Sequence, residues 1–258
     1  MFVLPMTITV DTSAGVATIA IARPQKKNAL TSAMYKAMTD AITAAVADNA
    51  VRALLITGQP GVFTSGNDLE EFMQQPPASE DSPVFRFMQT LAVCDKPIVA
   101  AVSGLAVGIG VTMLLHCDLV YLSDEARLAM PFVSLGLVPE FASSLLLPQL
   151  LGRVRAAEKL LLGEAFTAIE AVECGIANAV LPAGEVLGHA RRIAERFNAL
   201  PPNAVRDTKR LMRSCSKDAI ARAMNDEAAV FIEHLRCPEA QEALEAFLAK
   251  RKPDFSRF

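Results

Sequence analysis

One carboxylate in this sequence has neighbours suited to proton transfer. Glu140 lies in MPFVSLGLVPEFASSL, flanked by Pro139 and Phe141 and preceded by an apolar stretch. Desolvation in such surroundings raises a carboxyl pKa toward the range of a general base, and an enolate anion close by would raise it further. A glutamate at a helix start also suits the positive end of the helix dipole, and the residues alone leave both readings open.

Two glycine-bearing segments could supply the complementary chemistry, stabilisation of an oxyanion by backbone N–H groups. In FTSGNDLEEF (63–72) Gly66 permits positive φ. Asn67 and Asp68 follow it where the N–H groups of a first helical turn lack internal partners. In SGLAVGIGVTMLLHCD (103–118) Gly104, Gly108 and Gly110 keep the backbone bare at a helix start, and Ile109 can present an unpaired N–H to developing negative charge. A helix cap and close glycine packing between layers are the plainer readings of these two segments.

Other chemistries find no support. His116, His189 and His234 share no motif or metal-ligand spacing. GxSxG, GxGxxG and GxxxxGK(S/T) are absent, which argues against an elbow serine and against the common phosphate loops. The five cysteines form no CxxC pair and are odd in number, so neither a zinc ribbon nor a disulfide framework is expected, and a reducing compartment is implied.

The elements that must position these residues follow an alternating pattern. Thr7 to Val10 and Val16 to Ala22 read as a hairpin around Ser13 to Gly15. Thr31 or Ser32 can cap a helix to about Asp48, and Val51 to Thr57 is a short buried strand. The loop 58–66 leads into a helix from Leu69, and Pro76 to Pro83 is a polar, proline-rich excursion before a helix near Phe85 to Val93. Ile98 to Val102 and Leu119 to Leu122 are further strands, the first running toward the glycine-punctuated helix start at Gly108. From Glu140 onward the pattern is almost wholly helical, with Ile220, Met224, Phe231 and Leu235 near helical spacing on one face. The class is α/β, a layered sheet wound with helices and followed by a helical C-terminal part.

With 258 residues, 52% of them hydrophobic and 21% charged, the chain suits one main globular domain. A net charge of −3 without a dense basic run gives no field to collect nucleic acid or an anionic membrane. Charges or helix breakers interrupt every apolar run, including PIVAAVSGLAVGIGVTMLLHCD, so no membrane span is expected. MFVLPMTITVDTS lacks the features of an export or organelle signal, and the expected location is cytoplasmic.

RPQKKNAL, FTSGNDL, KPIVAAVSGLAVGIGVTMLLHCDLVY, PFVSLGLVPE and the terminal EAFLAKRKPDF, in this order, resemble the crotonase family, also called enoyl-CoA hydratase/isomerase. The likeness runs from about Thr7 to the C-terminus. It implies a spiral of ββα units over 1–200 that binds an acyl-CoA thioester, and a helical trimerisation region over 201–258, giving a homotrimer or a dimer of trimers. It further implies that the N–H groups of Asn67 and Ile109 hold the thioester oxygen. CoA would lie along RPQKKNAL with Lys26 best placed, and the adenine would meet the backbone around Ser65, Asp68 and Leu69. Lys250 would reach a phosphate from the chain's own or a neighbouring subunit; either lysine is equally readable as a solvated surface residue.

The resemblance also carries two departures. The glutamates associated with hydration in this family fall on Thr112 and Phe132, whereas Glu140 occupies the position of the base in Δ3,Δ2-enoyl-CoA isomerases. The implied reaction shifts a double bond from the 3- to the 2-position through a dienolate. Glu140 acts as the single acid/base, and nothing beyond the coenzyme A of the substrate is needed as cofactor or metal. Phe72, Phe85, Met88, Phe132 and Phe141 are candidate walls of an acyl tunnel, or plain core. Another crotonase-type reaction (hydration, isomerisation of a ring-derived CoA ester, thioester hydrolysis) and a non-catalytic acyl-CoA-binding scaffold are the alternatives.

Overall fold

The computed structural model describes residues 7–258, so the first six residues of the segment read as lacking a targeting signal lie outside the described residues. The chain opens with an antiparallel hairpin, β1 (Ile8–Ser13) and β2 (Val16–Ile21), whose register runs from Ile8 opposite Ile21 to Ser13 opposite Val16. Helix α1 (Ser32–Ala47) follows, capped by the Thr31 side chain, which accepts from the Met34 N–H. After it, β3 (Ala53–Thr57) returns parallel to β2.

From β3 the chain repeats one move. A strand in a large sheet is followed by a short strand in a second sheet, and then by helix. Thus β3 is followed by β4 (Val62–Thr64), α2 (Leu69–Gln74) and α3 (Pro83–Val93). Next, β5 (Ile98–Val102) is followed by β6 (Leu105–Val107) and α4 (Ile109–Thr112), then β7 (Leu119–Ser123) by β8 (Arg127–Ala129). The large sheet has the order β1-β2-β3-β5-β7-β10 and the small one β4-β6-β8-β9, where β9 is Phe166–Thr167 and β10 is Ala179–Leu181. Successive turns therefore stack side by side, which is the expected spiral of ββα units.

The apolar runs of β3 and β5 are continuous because both faces of the sheet are covered. Leu54, Ile56, Ile98, Ala100 and Val102 enter the main core, which includes Tyr35, Met38, Phe63 and Phe87. The alternate residues Ala53, Leu55, Val99 and Ala101 pack against Val186, Ala190 and Ala194 of α8 (Val186–Glu195). Between β8 and α8 lie α5 (Ser143–Leu151), α6 (Arg153–Ala157) and α7 (Ala168–Glu173). Three helices end the chain, α9 (Pro202–Ser214), α10 (Lys217–His234) and α11 (Pro238–Leu248).

Several sequence expectations are corrected. The loop read over 58–66 contains β4, and β6 lies inside the segment read as a helix approach. The stretch after Glu140 is almost wholly helical as expected, but it also holds β9 and β10, which extend the two sheets, β10 pairing in parallel with β7. Within this stretch α6 continues past Ala157 as a π-helix over Glu158–Leu162. Strands of two or three residues carry no side-chain period, so backbone pairing alone defines them.

Candidate active site

The pairing of β4 with β6 brings the two glycine segments together. Val62 lies opposite Leu105 and Thr64 opposite Ala106, with an irregularity between, so the residues that leave the two strand ends are neighbours. Gly66 has φ 89°, and a Cβ there would sit 3.1 Å from the Val107 carbonyl oxygen. Gly108 has φ 56° and turns the chain from β6 into α4.

At this crossing the backbone partners are asymmetric. The N–H of Ser65 donates to Lys27 O (3.1 Å), that of Gly66 to the Thr64 hydroxyl (3.1 Å) and that of Asp68 to Leu30 O (2.9 Å). The N–H groups of Asn67 and Ile109 find no acceptor among the described residues. Both residues line one cavity together with Phe72, Phe132, Leu137 and Phe231. Two unpaired donors among the residues of one largely apolar cavity are the kind of groups that can receive an oxygen gaining negative charge.

Glu140 lines a separate small cavity, and two side chains relate it to this pair. Thr112, one helical turn beyond Ile109, donates its hydroxyl to Glu140 Oε1 at 3.3 Å. Tyr35, buried on α1, donates its hydroxyl to the Asn67 side-chain carbonyl. Its own pKa is raised well above the ordinary value, first by burial and then by the Glu140 and Glu71 charges. Glu140 is only 2% exposed, and burial, then the nearby Glu227 carboxylate, push its pKa up to about 8 against a small pull from the Thr112 hydrogen bond. A carboxyl titrating there serves well as a base and, once protonated, as an acid near neutral pH. Phe85, Met88 and Phe141 surround it, so the five apolar residues expected at a tunnel divide between the N–H pair (Phe72, Phe132) and Glu140.

The remaining sequence-predicted residues lie around this core to differing degrees. Leu69 opens α2 and lines the same cavity as Asn67. Asp68 is buried, pairs with Arg23 Nη1 at 2.6 Å and caps α2 by accepting from the Glu71 N–H. Burial opposes, but the Arg23 and Glu71 hydrogen bonds hold its carboxyl below the ordinary value. Lys26 is exposed and meets Glu70 at 3.0 Å, an exposed pair weak enough to be exchanged for a phosphate. The Ser65 carbonyl accepts no hydrogen bond among the described residues, leaving it open to an external donor. Lys250 follows α11 in exposed chain, and among the described residues no hydrogen bond or ion pair joins it to this cluster.

Sequence reasoning missed four supporting residues. Asn28 is fully buried and donates to the carbonyls of Ile21, Val62 and Phe63 while accepting from the Arg23 N–H, so it pins the Lys26 segment to β4. Tyr35 fixes the Asn67 side chain. His116, given no role in the sequence, is buried, stacks on Phe141 at 3.9 Å and bonds its carbonyl through Nε2 at 2.8 Å. Burial pushes its pKa down to about 4, so the ring is neutral. Glu227 is the fourth; its carboxylate accepts from the N–H groups of Ala142 and Ser144, just beyond Glu140. The asparagine of RPQKKNAL was a usable signal for Asn28; the others read as ordinary helix residues.

Among the described residues, no group of three His, Cys, Asp or Glu is placed to hold a metal ion, and no helix is long and apolar enough to cross a membrane. The sequence model of the family described as Enoyl-CoA hydratase/isomerase matches residues 11–257. A solved structure of Pseudomonas aeruginosa OdaA superposes with a TM-score of 0.93 at 51% identity, covering 94% of this chain and 99% of that one. Enoyl-CoA delta isomerase 2 of Rattus norvegicus is 35% identical over 252 residues, covering 95% of this chain and 64% of its own length. The 2,3-dehydroadipyl-CoA hydratase of Escherichia coli is 30% identical over 236 residues, covering 90% and 92%.

Proposed function

The chain belongs to the enoyl-CoA hydratase/isomerase family, and on that premise we propose that it is a Δ3,Δ2-enoyl-CoA isomerase with Glu140 as its single acid/base. Members of this family act on acyl-CoA thioesters and are typically oligomeric; for this chain a homotrimer or a dimer of trimers in the cytoplasm is part of the proposal. Named relatives include both isomerases and hydratases, so the choice of reaction rests on the site itself.

What supports the choice is one buried carboxyl, Glu140, bonded to Thr112 one helical turn beyond the unpaired Ile109 N–H, with Thr112 and Phe132 at the positions that the resemblance gives to the water-handling glutamates of a hydratase. A threonine donating to the base and a phenylalanine in the cavity wall cannot activate water as a carboxylate pair would.

In the proposed reaction the thioester oxygen of a 3-enoyl-CoA rests between the N–H groups of Asn67 and Ile109. Glu140 takes a proton from C2. The C2–H electron pair moves into the C1–C2 bond and the oxygen gains the charge that the two N–H groups stabilise, giving a dienolate. The protonated Glu140 then delivers the proton to C4, the C2–C3 double bond forms, and the carboxylate is regenerated. Apolar walls such as Phe72, Phe132 and Phe231 keep water from the dienolate. Lys26 contacts CoA phosphate, the Ser65, Asp68 and Leu69 backbone meets adenine, and Lys250 is a phosphate contact only if the bound nucleotide or a neighbouring subunit reaches it.

Substrate profiling of the wild-type protein tests this reading. Conversion of 3-hexenoyl-CoA to 2-hexenoyl-CoA should greatly exceed hydration of crotonyl-CoA under the same conditions. Faster hydration would replace this reading with the hydratase one, and tight CoA-ester binding without turnover would favour a scaffold.

A further inference from the structure

We propose that Glu227 of α10 is a positioning residue for the base: its carboxylate clamps the turn that carries Glu140 and sets a second negative charge behind it. This rests on Glu140 being the base of the reaction proposed above.

The turn needs a clamp. Phe141 (φ 61°) and Ala142 (φ 56°) are consecutive non-glycine residues in the left-handed region, directly after Glu140. Such a pair persists only where its surroundings hold it, and such strain gathers at functional sites. Two side chains hold this one. The Phe141 carbonyl accepts from His116 Nε2, the nitrogen that must carry the proton of this neutral ring. On the other side Glu227 Oε2 accepts from the Ala142 N–H at 2.5 Å, and Oε1 accepts from the Ser144 N–H at 2.9 Å and the Ser144 hydroxyl at 2.5 Å.

A helix cap alone needs no charge this deep in the protein. Glu227 is 8% exposed and sits one residue before Ala228, which with Met224 and Asn225 lines the same cavity as Glu140. The described groups facing the Glu140 turn from neighbouring elements are Thr112, Tyr35, Glu80, His116 and Glu227, with Asp226 beside Glu227; none is a lysine or arginine. Burial pushes both carboxyls up. Glu227 has three donors to stabilise its charged form and Glu140 has only the Thr112 hydroxyl, so Glu227 ionises first and its charge holds the proton on Glu140. A base with that higher proton affinity is better matched to a weakly acidic C2–H and keeps the proton until it reaches C4.

The test is the pH profile of kcat/KM for 3-hexenoyl-CoA in wild type, Glu227→Gln, Glu227→Asp and Glu140→Gln. The acidic limb reports ionisation of Glu140, and in Glu227→Gln it should move to lower pH by about half to one pH unit, whereas Glu227→Asp keeps the limb and lowers kcat. A Glu227→Gln limb that coincides with wild type, with only the amplitude reduced, overturns the proposal and leaves Glu227 a structural cap. Should the glutamine variant not fold, the aspartate variant decides: it keeps the charge but shortens the reach, and an unchanged kcat overturns the clamp. Wild-type activity in Glu140→Gln would instead defeat the base assignment itself, so the two failures are distinguishable.

Discussion

Replacing Glu140 by glutamine should make the protein more stable, by an amount that grows with pH. The carboxyl is 2% exposed and titrates at about 8 in place of its ordinary 4.5. Its folded pKa is raised, so between those two values the folded state keeps a proton that the unfolded chain has released, and stability falls as pH rises. Each pH unit across that interval costs about 1.4 kcal/mol, and the whole interval about 5 kcal/mol. At pH 5 little of this cost is expressed, and by pH 8.5 nearly all of it is. Glutamine is always neutral, and its side-chain carbonyl can accept the Thr112 hydroxyl as Glu140 Oε1 does at 3.3 Å. The stability gain of Glu140→Gln over wild type should therefore increase by about 4 kcal/mol from pH 5 to pH 8.5, on the order of 10 °C in midpoint. Urea denaturation at both pH values, at fixed protein concentration because subunit association adds to apparent stability, measures it. A gain independent of pH, or a loss at pH 8.5, would refute the picture of an uncompensated buried carboxyl.

Two further substitutions probe the N–H pair. Gly108→Ala leaves room for the new Cβ, whose nearest neighbour would be Phe132 Cε1 at 3.9 Å, but forces a side-chain residue to hold φ 56°. The turn should relax, displace the Ile109 N–H and cost roughly 100- to 1,000-fold in kcat with the fold retained by circular dichroism. Asn67→Ala keeps its backbone N–H and removes the acceptor of the buried Tyr35 hydroxyl. Denaturation should show a loss of about 1–3 kcal/mol, while kcat falls far less than in Gly108→Ala.

What the sequence disclosed and what it hid follow from contact range. Ile98–Val102 was legible to the residue because a strand buried on both faces is a bounded β-branched run. The glycines before Asn67 and Ile109 made unpaired N–H groups legible at both helix starts, although the residues offered Asn67 and Asp68 alike and only the resemblance chose Asn67; the burial of Glu140 was legible because its own neighbours are apolar. The short strands β4 and β6, which bring the two donors together, were hidden since three residues carry no period. Glu227, Tyr35 and His116 were hidden for another reason. Each acts across the fold, Glu227 on a turn 85 residues away and Tyr35 on a side chain 32 away, and on its own helix each resembles a routine residue. Lys26 and Lys250 show the converse limit: the resemblance singled them out, yet one rests in an exposed ion pair and the other lies in exposed chain after α11.

The central claim is that one carboxyl moves the proton from C2 to C4, and the most direct measurement is isomerisation of 3-hexenoyl-CoA by wild type and Glu140→Gln, with crotonyl-CoA hydration run alongside. General acid–base catalysis contributes about 100- to 10,000-fold, and with a single group serving both steps the glutamine variant should lose at least about 1,000-fold in kcat while binding the CoA ester as before. Isomerisation that survives the substitution, or hydration that outruns isomerisation and is untouched by it, would contradict the account.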